Sequence, residues 1–415
     1  MNSFGHNFRI SIFGESHGPS VGVLVDGCPA GVPLDPAHLQ ADLMRRQGGA
    51  AGTTSRVEDD TPRLVSGVFE GRTTGTPILI VLDNTRQDSG AYEETRYTPR
   101  PGHADLTAFS KYGGFNDHRG GGHFSGRLTA GLVAAGGIAK KIIVPVTVDA
   151  ALIEAGGSKD LERAVAEAAA EGDSIGGIVE CTARGVPAGL GEPFFDSLES
   201  LISHGILSIP AVKGIEFGAG FAAARMRGSA CNDEIVDGTG TTRTNNAGGI
   251  AGGISNGNAL VFRVAVKPTP SIGKAQGTID VRDGRRVSLS VEGRHDLCIA
   301  LRMPVIVEAV TAMVLADCML AEQMAPRVWT DRSMREAAGE RGKEKAERPT
   351  PRSLDGLVCD AIAEIPENTI FDEGTVAKLE TITSRLEHLK HIIRGRDEEE
   401  LRLFFSRARV PGKGE

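Results

Sequence analysis

The sequence predicts a mixed α+β protein with a helical C-terminal extension, on three observations. Short β-branched runs alternate with glycine-rich turns up to about residue 325. Helical stretches rich in alanine and leucine interleave them. Beyond Arg327 the composition turns abruptly to charged and small polar residues.

Taken in order, Val21–Gly27 reads as a strand ending in a glycine turn. Asp35 followed by Pro36 is an N-cap with proline at the first helical position, and predicts a helix from Pro36 to Arg46. Pro77–Leu82 is a second β-branched strand, and Gly126 to Ile143 is a second helix. The glycine-dense segments Gly113–Gly126 and Gly248–Gly257 are too costly in unfolded-chain entropy for plain linkers. They predict close approach of backbone to a flat ligand. Asp331 to Arg352 reads as a solvated linker. Val376, Leu379, Ile382, Leu386, Leu389 and Ile393 recur at helical spacing, and Asp397 to Arg407 forms a second short helix with acidic residues in its first turn. The expected division is residues 1–327 as catalytic domain, 328–352 as charged linker and 353–415 as helical extension.

Forty-six basic against 54 acidic residues give a net charge of −8, which argues against general attraction to nucleic acid or an anionic membrane. Anion binding must therefore be local. No run is expected to reach the ~20 apolar residues of a membrane span. Met1 to His6 lacks the regions of a secretory signal, so the expected location is the cytoplasm. The six cysteines have no close pairing, which predicts free thiols.

Two histidines stand in glycine turns, Gly14-Glu15-Ser16-His17-Gly18 and Arg100-Pro101-Gly102-His103-Ala104-Asp105. Imidazole titrates near neutrality and suits proton transfer, and the carboxylate of Asp105 can orient His103. The competing reading of either is a turn histidine satisfied by backbone. Arginines gather beside glycine turns, at Arg45, Arg46, Arg56, Arg100, Arg119, Arg127 and Arg294, as anion-gripping guanidiniums do. Surface ion pairing is the alternative for any one of them. Lys267-Pro268-Thr269-Pro270-Ser271 offers a cation and two hydroxyls on a stiff segment suited to a ligand phosphate. His17, Glu15, Asp105 and Glu58 could in principle hold a metal, yet no metal-ligand spacing occurs, so none is expected.

The segments FGESHG (13–18), SGVFEGRTTGTPI (66–78), RPGHADL (100–106), KYGGFNDHRGGGHFSGRLT (111–129), SIPAVKGIEFGAGF (208–221), NNAGGIAGGISNG (245–257), KPTPSI (267–272) and GRHDLC (293–298) closely resemble chorismate synthases, in the family's order. The resemblance implies a β-α-β sandwich subunit, a homotetramer, and anti-1,4-elimination of phosphate from 5-enolpyruvylshikimate 3-phosphate to give chorismate. It implies reduced FMN (FMNH2) as cofactor, with NADPH a possible reductant. A non-catalytic flavin- or anion-binding assembly protein on the same scaffold is the alternative.

Carried over by position, the resemblance makes His17 the acid for the departing phosphate, His103 the acid for the reduced flavin, and Asp296 the residue that helps flavin N5 remove the C6 proton. Flavin contacts would be His123, Phe124, Ser125, Pro210, Ala211, Gly252, Lys267, Pro268, Thr269, Pro270, Ser271 and Arg294. Ser16, Arg46 and Arg100 would hold substrate. Two positions depart from the family pattern: His123 and Gly52 stand where members commonly carry arginine. A histidine at 123 would make substrate affinity pH-dependent, and Gly52 would leave fewer guanidiniums for substrate.

Overall fold

The computed structural model describes residues 2–85, 96–291 and 295–330. The charged linker and the C-terminal helices expected from sequence lie outside the described residues, as does Arg294.

The first sheet is antiparallel and built from β1 (Ser3–Phe4), β2 (Arg9–Gly14), β3 (Ser20–Asp26), β4 (Arg63–Leu64) and β5 (Ile78–Asp83), in the order β1-β2-β3-β5-β4. Val21, Val23 and Val25 of β3 alternate at period two and are fully buried, so this strand presents one face to the core. Between β3 and β4 runs α1 (Pro36–Arg46), which starts at the residue the sequence predicts because the Asp35 carboxylate accepts from Ala37 N at 2.8 Å. Its inward face is Leu39, Leu43 and, at the last turn, Arg46.

After α2 (Asp105–Tyr112), a turn of 3₁₀ geometry over Gly126–Leu128 leads into α3 (Thr129–Ile142), so the expected helix begins three residues later. The second sheet follows, again antiparallel: β6 (Thr147–Ala155), β7 (Gly177–Arg184), β8 (Val212–Phe217) and β9 (Leu260–Val266), in the order β8-β9-β7-β6. Helices α4 (Leu161–Ala170) and α5 (Leu198–Leu207) connect its strands, and α6 (Met303–Ala321) closes the described fold.

Helix α3 packs on β3 of the first sheet, α6 packs on β6 and β7 of the second, and α3 and α6 pack on each other. Gly136 makes that crossing possible: a Cβ there would fall 2.3 Å from the Cβ of Ala309. Residues from both sheets and both helices form one continuous hydrophobic core.

Helix α6 and the 3₁₀ turn before it, Ile299–Ala321, are long and apolar enough to cross a membrane, contrary to the expectation that no run reaches that length. The physical reason is burial on all sides: 78% of its most apolar 18-residue stretch is inside the protein. Its two buried carboxylates are both paired, as burial of charge requires. Glu308 accepts from Arg45 at 2.6 and 2.7 Å and from Lys140 at 2.8 Å. Asp317 accepts from the backbone N–H groups of His6, Asn7 and Phe8 at 2.9, 2.5 and 2.8 Å, which ties the N-terminal loop to the helix.

Candidate active site

A cavity of about 370 Å³ opens where the β2–β3 turn, the end of α1, the residue 100–105 turn, the start of α3 and the start of α6 meet. Arg46, Arg56, Arg100, Arg127 and Arg302 line it, with Glu58 and Asp296 as its lining carboxylates. A cationic pocket in a chain of net charge −8 is a site for an anion.

His17 is 4% exposed and stands in the β2–β3 turn. The Asn84 amide at the end of β5 holds that turn by donating to Glu15 O at 3.1 Å and Gly18 O at 2.8 Å. Gly120, Gly121 and Gly122 all take positive φ, of 59°, 80° and 54°. Their lack of side chains lets the chain lie against both histidines. A Cβ on Gly120 would stand 2.3 Å from His17 Cδ2, and one on Gly121 would stand 3.1 Å from His103 Cε1. The close approach expected of this glycine segment is therefore made to the imidazoles.

Asp105 sits beneath His103. Its carboxylate receives Arg100 Nε at 2.7 Å and Nη2 at 2.9 Å, and lies 3.0 Å from His103 Nδ1. Burial opposes its charge, but the hydrogen bonds from Arg100 and His103 outweigh burial and hold the carboxyl far below the usual carboxylate range. His103 thus has an ionised partner that fixes its ring. Asp296 also lines the cavity; its Oδ1 accepts from Thr54 N at 2.9 Å and its carboxylate meets Arg302 Nη1 at 3.2 and 3.3 Å. Beside it His295 is pushed below its usual pKa by burial and then by the Arg100 charge.

The cavity brings together Ser16, His17, Arg46, Arg100, His103, Ser125, Pro210, Thr269, Pro270, Ser271 and Asp296 from the sequence-predicted set. Other members lie off its wall. His123 turns to the first sheet, with Nδ1 2.8 Å from Gly14 O and Nε2 3.2 Å from Asn2 Oδ1. Phe124 lines a smaller neighbouring cavity of about 260 Å³ that borders Asp105 and Gly121. Lys267 donates to Gly102 O at 2.6 Å and so braces the His103 turn, while Ala211 O accepts from Lys267 N at 3.0 Å. Pro268 is exposed, and Gly252 lies in the short hairpin between Ile250–Ala251 and Ile254–Ser255. Gly52 has no space for a longer side chain: a Cβ would fall 2.6 Å from Val165 Cγ1 and 2.9 Å from Leu301 Cδ1.

Of the carboxylates that the sequence offers as metal ligands, Glu58 is engaged with Arg56 at 2.6 and 2.9 Å and Asp105 with Arg100. Among the described residues no group of three His, Cys, Asp or Glu side chains is placed to hold a metal ion. Sequence reading missed Asp60, Asn84, His295 and Arg302. The spacing from Asp296 to Arg302 across a helix start was a usable signal for the last, whereas Asp60 in an acidic run gave none.

The chorismate synthase family model matches residues 8–320. The chain belongs to the chorismate synthase family. It is 60% identical to the chorismate synthase of Chitinophaga pinensis over 330 residues, covering 79% of this chain and 99% of that one. It is 47% identical to the chorismate synthase of Archaeoglobus fulgidus over 358 residues, again covering 79% and 99%. A crystal structure of chorismate synthase superposes with a TM-score of 0.62 at 27% identity, covering 81% of this chain and 97% of the other. As a chorismate synthase, the chain is an enzyme of the lyase class acting on a small molecule, eliminating phosphate from 5-enolpyruvylshikimate 3-phosphate to form chorismate. The family uses a flavin.

Proposed function

We propose that the 370 Å³ cavity is where this elimination takes place, as an anti-1,4 process with reduced FMN bound beside the substrate. The observation that carries the reading is convergence: His17, His103 and Asp296, far apart in sequence, line one cavity with five arginines. A substrate with two carboxylates and a phosphate matches that cationic lining.

The residues present fit a flavin. Pro210, Pro270 and Val291 offer an apolar wall, Ser125 and Ser271 offer hydroxyls, and Thr269 Oγ1 is buried with no hydrogen-bond partner among the described residues. These residues would hold the ring, and Arg294 lies outside the described residues. When bound, reduced FMN would supply electron density that favours departure of the allylic phosphate. His17 donates a proton to the phosphate oxygen as the C–O bond breaks. His103, oriented by Asp105, would hold a proton for the reduced flavin. Asp296, fixed by Arg302 and Thr54 N, helps receive the proton leaving C6. Ser16, Arg46 and Arg100 position the substrate anions, and the glycine turn packs against the two imidazoles and limits their movement.

We further propose a β-α-β sandwich subunit, a cytoplasmic location, NADPH as reductant of the flavin, and assembly as a homotetramer. Exposed aromatic side chains support assembly, since Phe194, Phe195 and Phe221 are 86%, 92% and 77% exposed. The deciding experiment is an anaerobic assay with chemically reduced FMN and 5-enolpyruvylshikimate 3-phosphate. Formation of chorismate absorbance with release of one phosphate is expected; folded protein that binds reduced FMN without turnover would support the assembly role instead. Repeating the assay aerobically with oxidised FMN and NADPH tests whether NADPH suffices as reductant.

A further inference from the structure

Asp60 does not line the cavity, yet its side chain is fully buried directly behind it. One carboxylate oxygen accepts from Arg46 Nη2 at 2.5 Å, and the other accepts from Arg127 Nη1. Arg46 and Arg127 are themselves almost wholly buried and both face the cavity. Arg127 is braced further by Asn84 Oδ1, which accepts from its Nε at 2.9 Å. Arg46 Nε, by contrast, has no hydrogen-bond partner among the described residues.

Two buried guanidiniums on one carboxylate leave a net positive charge facing the cavity. They also repel each other: burial and the Arg46 charge both act against the Arg127 cation, and the Asp60 carboxylate acts for it. Asp60 is held below the usual carboxylate range because the two arginine charges outweigh its burial. Its backbone takes φ 46°, in the left-handed region, which a non-glycine residue adopts at a cost.

We propose that Asp60 is a positioning residue for substrate, which fixes the separation and orientation of the Arg46 and Arg127 guanidiniums so that their remaining N–H groups grip one anionic group of the substrate. This rests on the proposed function of the cavity. Asp60 touches no reacting atom. Its loss therefore acts on binding shared by ground and transition states, and KM carries the effect more than kcat.

The test uses two variants of the whole protein, assayed anaerobically with reduced FMN. Asp60→Asn keeps the shape and removes the charge. Asp60→Gly removes the carboxylate at a position whose φ suits glycine, so the variant has a relaxed backbone and a vacant space for a small carboxylate. In both, KM for 5-enolpyruvylshikimate 3-phosphate is expected to rise by about tenfold or more, the factor that corresponds to roughly 1.4 kcal/mol. kcat is expected to stay within a few-fold. Added formate is expected to lower the KM of Asp60→Gly while leaving the unaltered enzyme unimproved, a response that a purely structural role would not give. No turnover in the unaltered enzyme overturns the reading of the cavity and this inference with it. Turnover with unchanged KM in both variants, or a fall in kcat alone without formate rescue, overturns the role of Asp60 and leaves that reading standing.

Discussion

Gly120 lies so close to His17 that a Cβ on it would fall 2.3 Å from Cδ2 and 2.5 Å from Nε2 of the imidazole. The glycine turn thus acts as a template for the ring, and the adjacent Gly121 does the same for His103. Gly120→Ala must displace the His17 ring or the turn, and it also places a side chain at φ 59°. Turnover is expected to fall by roughly 10²-fold, close to the loss expected of His17→Ala as a general acid. Stability should drop by at least about 1–2 kcal/mol, the cost of an L side chain in the left-handed region, with displacement of the ring adding to it. Single-turnover rates alongside urea midpoints check this, and a variant with normal turnover would separate His17 from the acid role.

Asp105 makes stability depend on pH in a defined direction. Its carboxyl is held below the unfolded value of 3.8, so the stabilisation from Arg100 and His103 is complete above that value and is lost as pH falls through the folded pKa. Asp60, lowered in the same direction, adds to the effect. Urea midpoints are therefore expected to fall steeply below pH 4. Asp105→Asn should be less stable than the unaltered chain at pH 7, with the difference shrinking towards pH 2. A constant difference across that range would show that the carboxylate charge contributes nothing.

Much of the fold was legible because it rests on local chemistry. The Asp35–Pro36 pair fixed the start of α1, and the alternating valines of β3 fixed which face is buried. The site was legible where histidines and arginines sit on glycine turns, since those turns converge on the cavity. The long-range pairs were not. Asp60 gains its meaning from Arg127, 67 residues away, and in an acidic run it reads as a solvated charge. His123 follows the triple glycine directly, but the turn swings its ring to Gly14 O, which linear adjacency cannot reveal. Lys267 suits a phosphate by type, and only the fold shows its ammonium on Gly102 O.

The thiols of Cys28, Cys181 and Cys318 are pushed up to about 12 by burial. A thiol is nucleophilic as thiolate, so these three should be inert to iodoacetamide at pH 8 in the folded enzyme. Cys231, which is only half-buried, is the expected site of labelling among the described cysteines. Peptide mapping by mass spectrometry before and after unfolding in urea checks this. Labelling of Cys181 in the folded state would mean that the β7–α6 contact opens, because Cys181 Sγ lies 3.7 Å from Thr311 Oγ1 across it.

Among the described residues the cavity lining runs from Ser16 to Ile306, and packing continues a little further. Val328 bridges Ala30 in parallel, Trp329 N donates to Ala30 O at 2.8 Å, and the Trp329 side chain is buried. A chain ending after Thr330 is expected to keep kcat and KM. One ending after Arg327 loses the indole from the core, which costs about 3–5 kcal/mol by analogy with Trp→Ala substitutions. Its melting temperature should fall, and its turnover at low temperature should remain near normal. Thermal melts and anaerobic kinetics on both truncations separate packing from chemistry. Loss of turnover in the chain ending at Thr330, with its melting temperature intact, would make the C-terminal extension part of the catalytic apparatus.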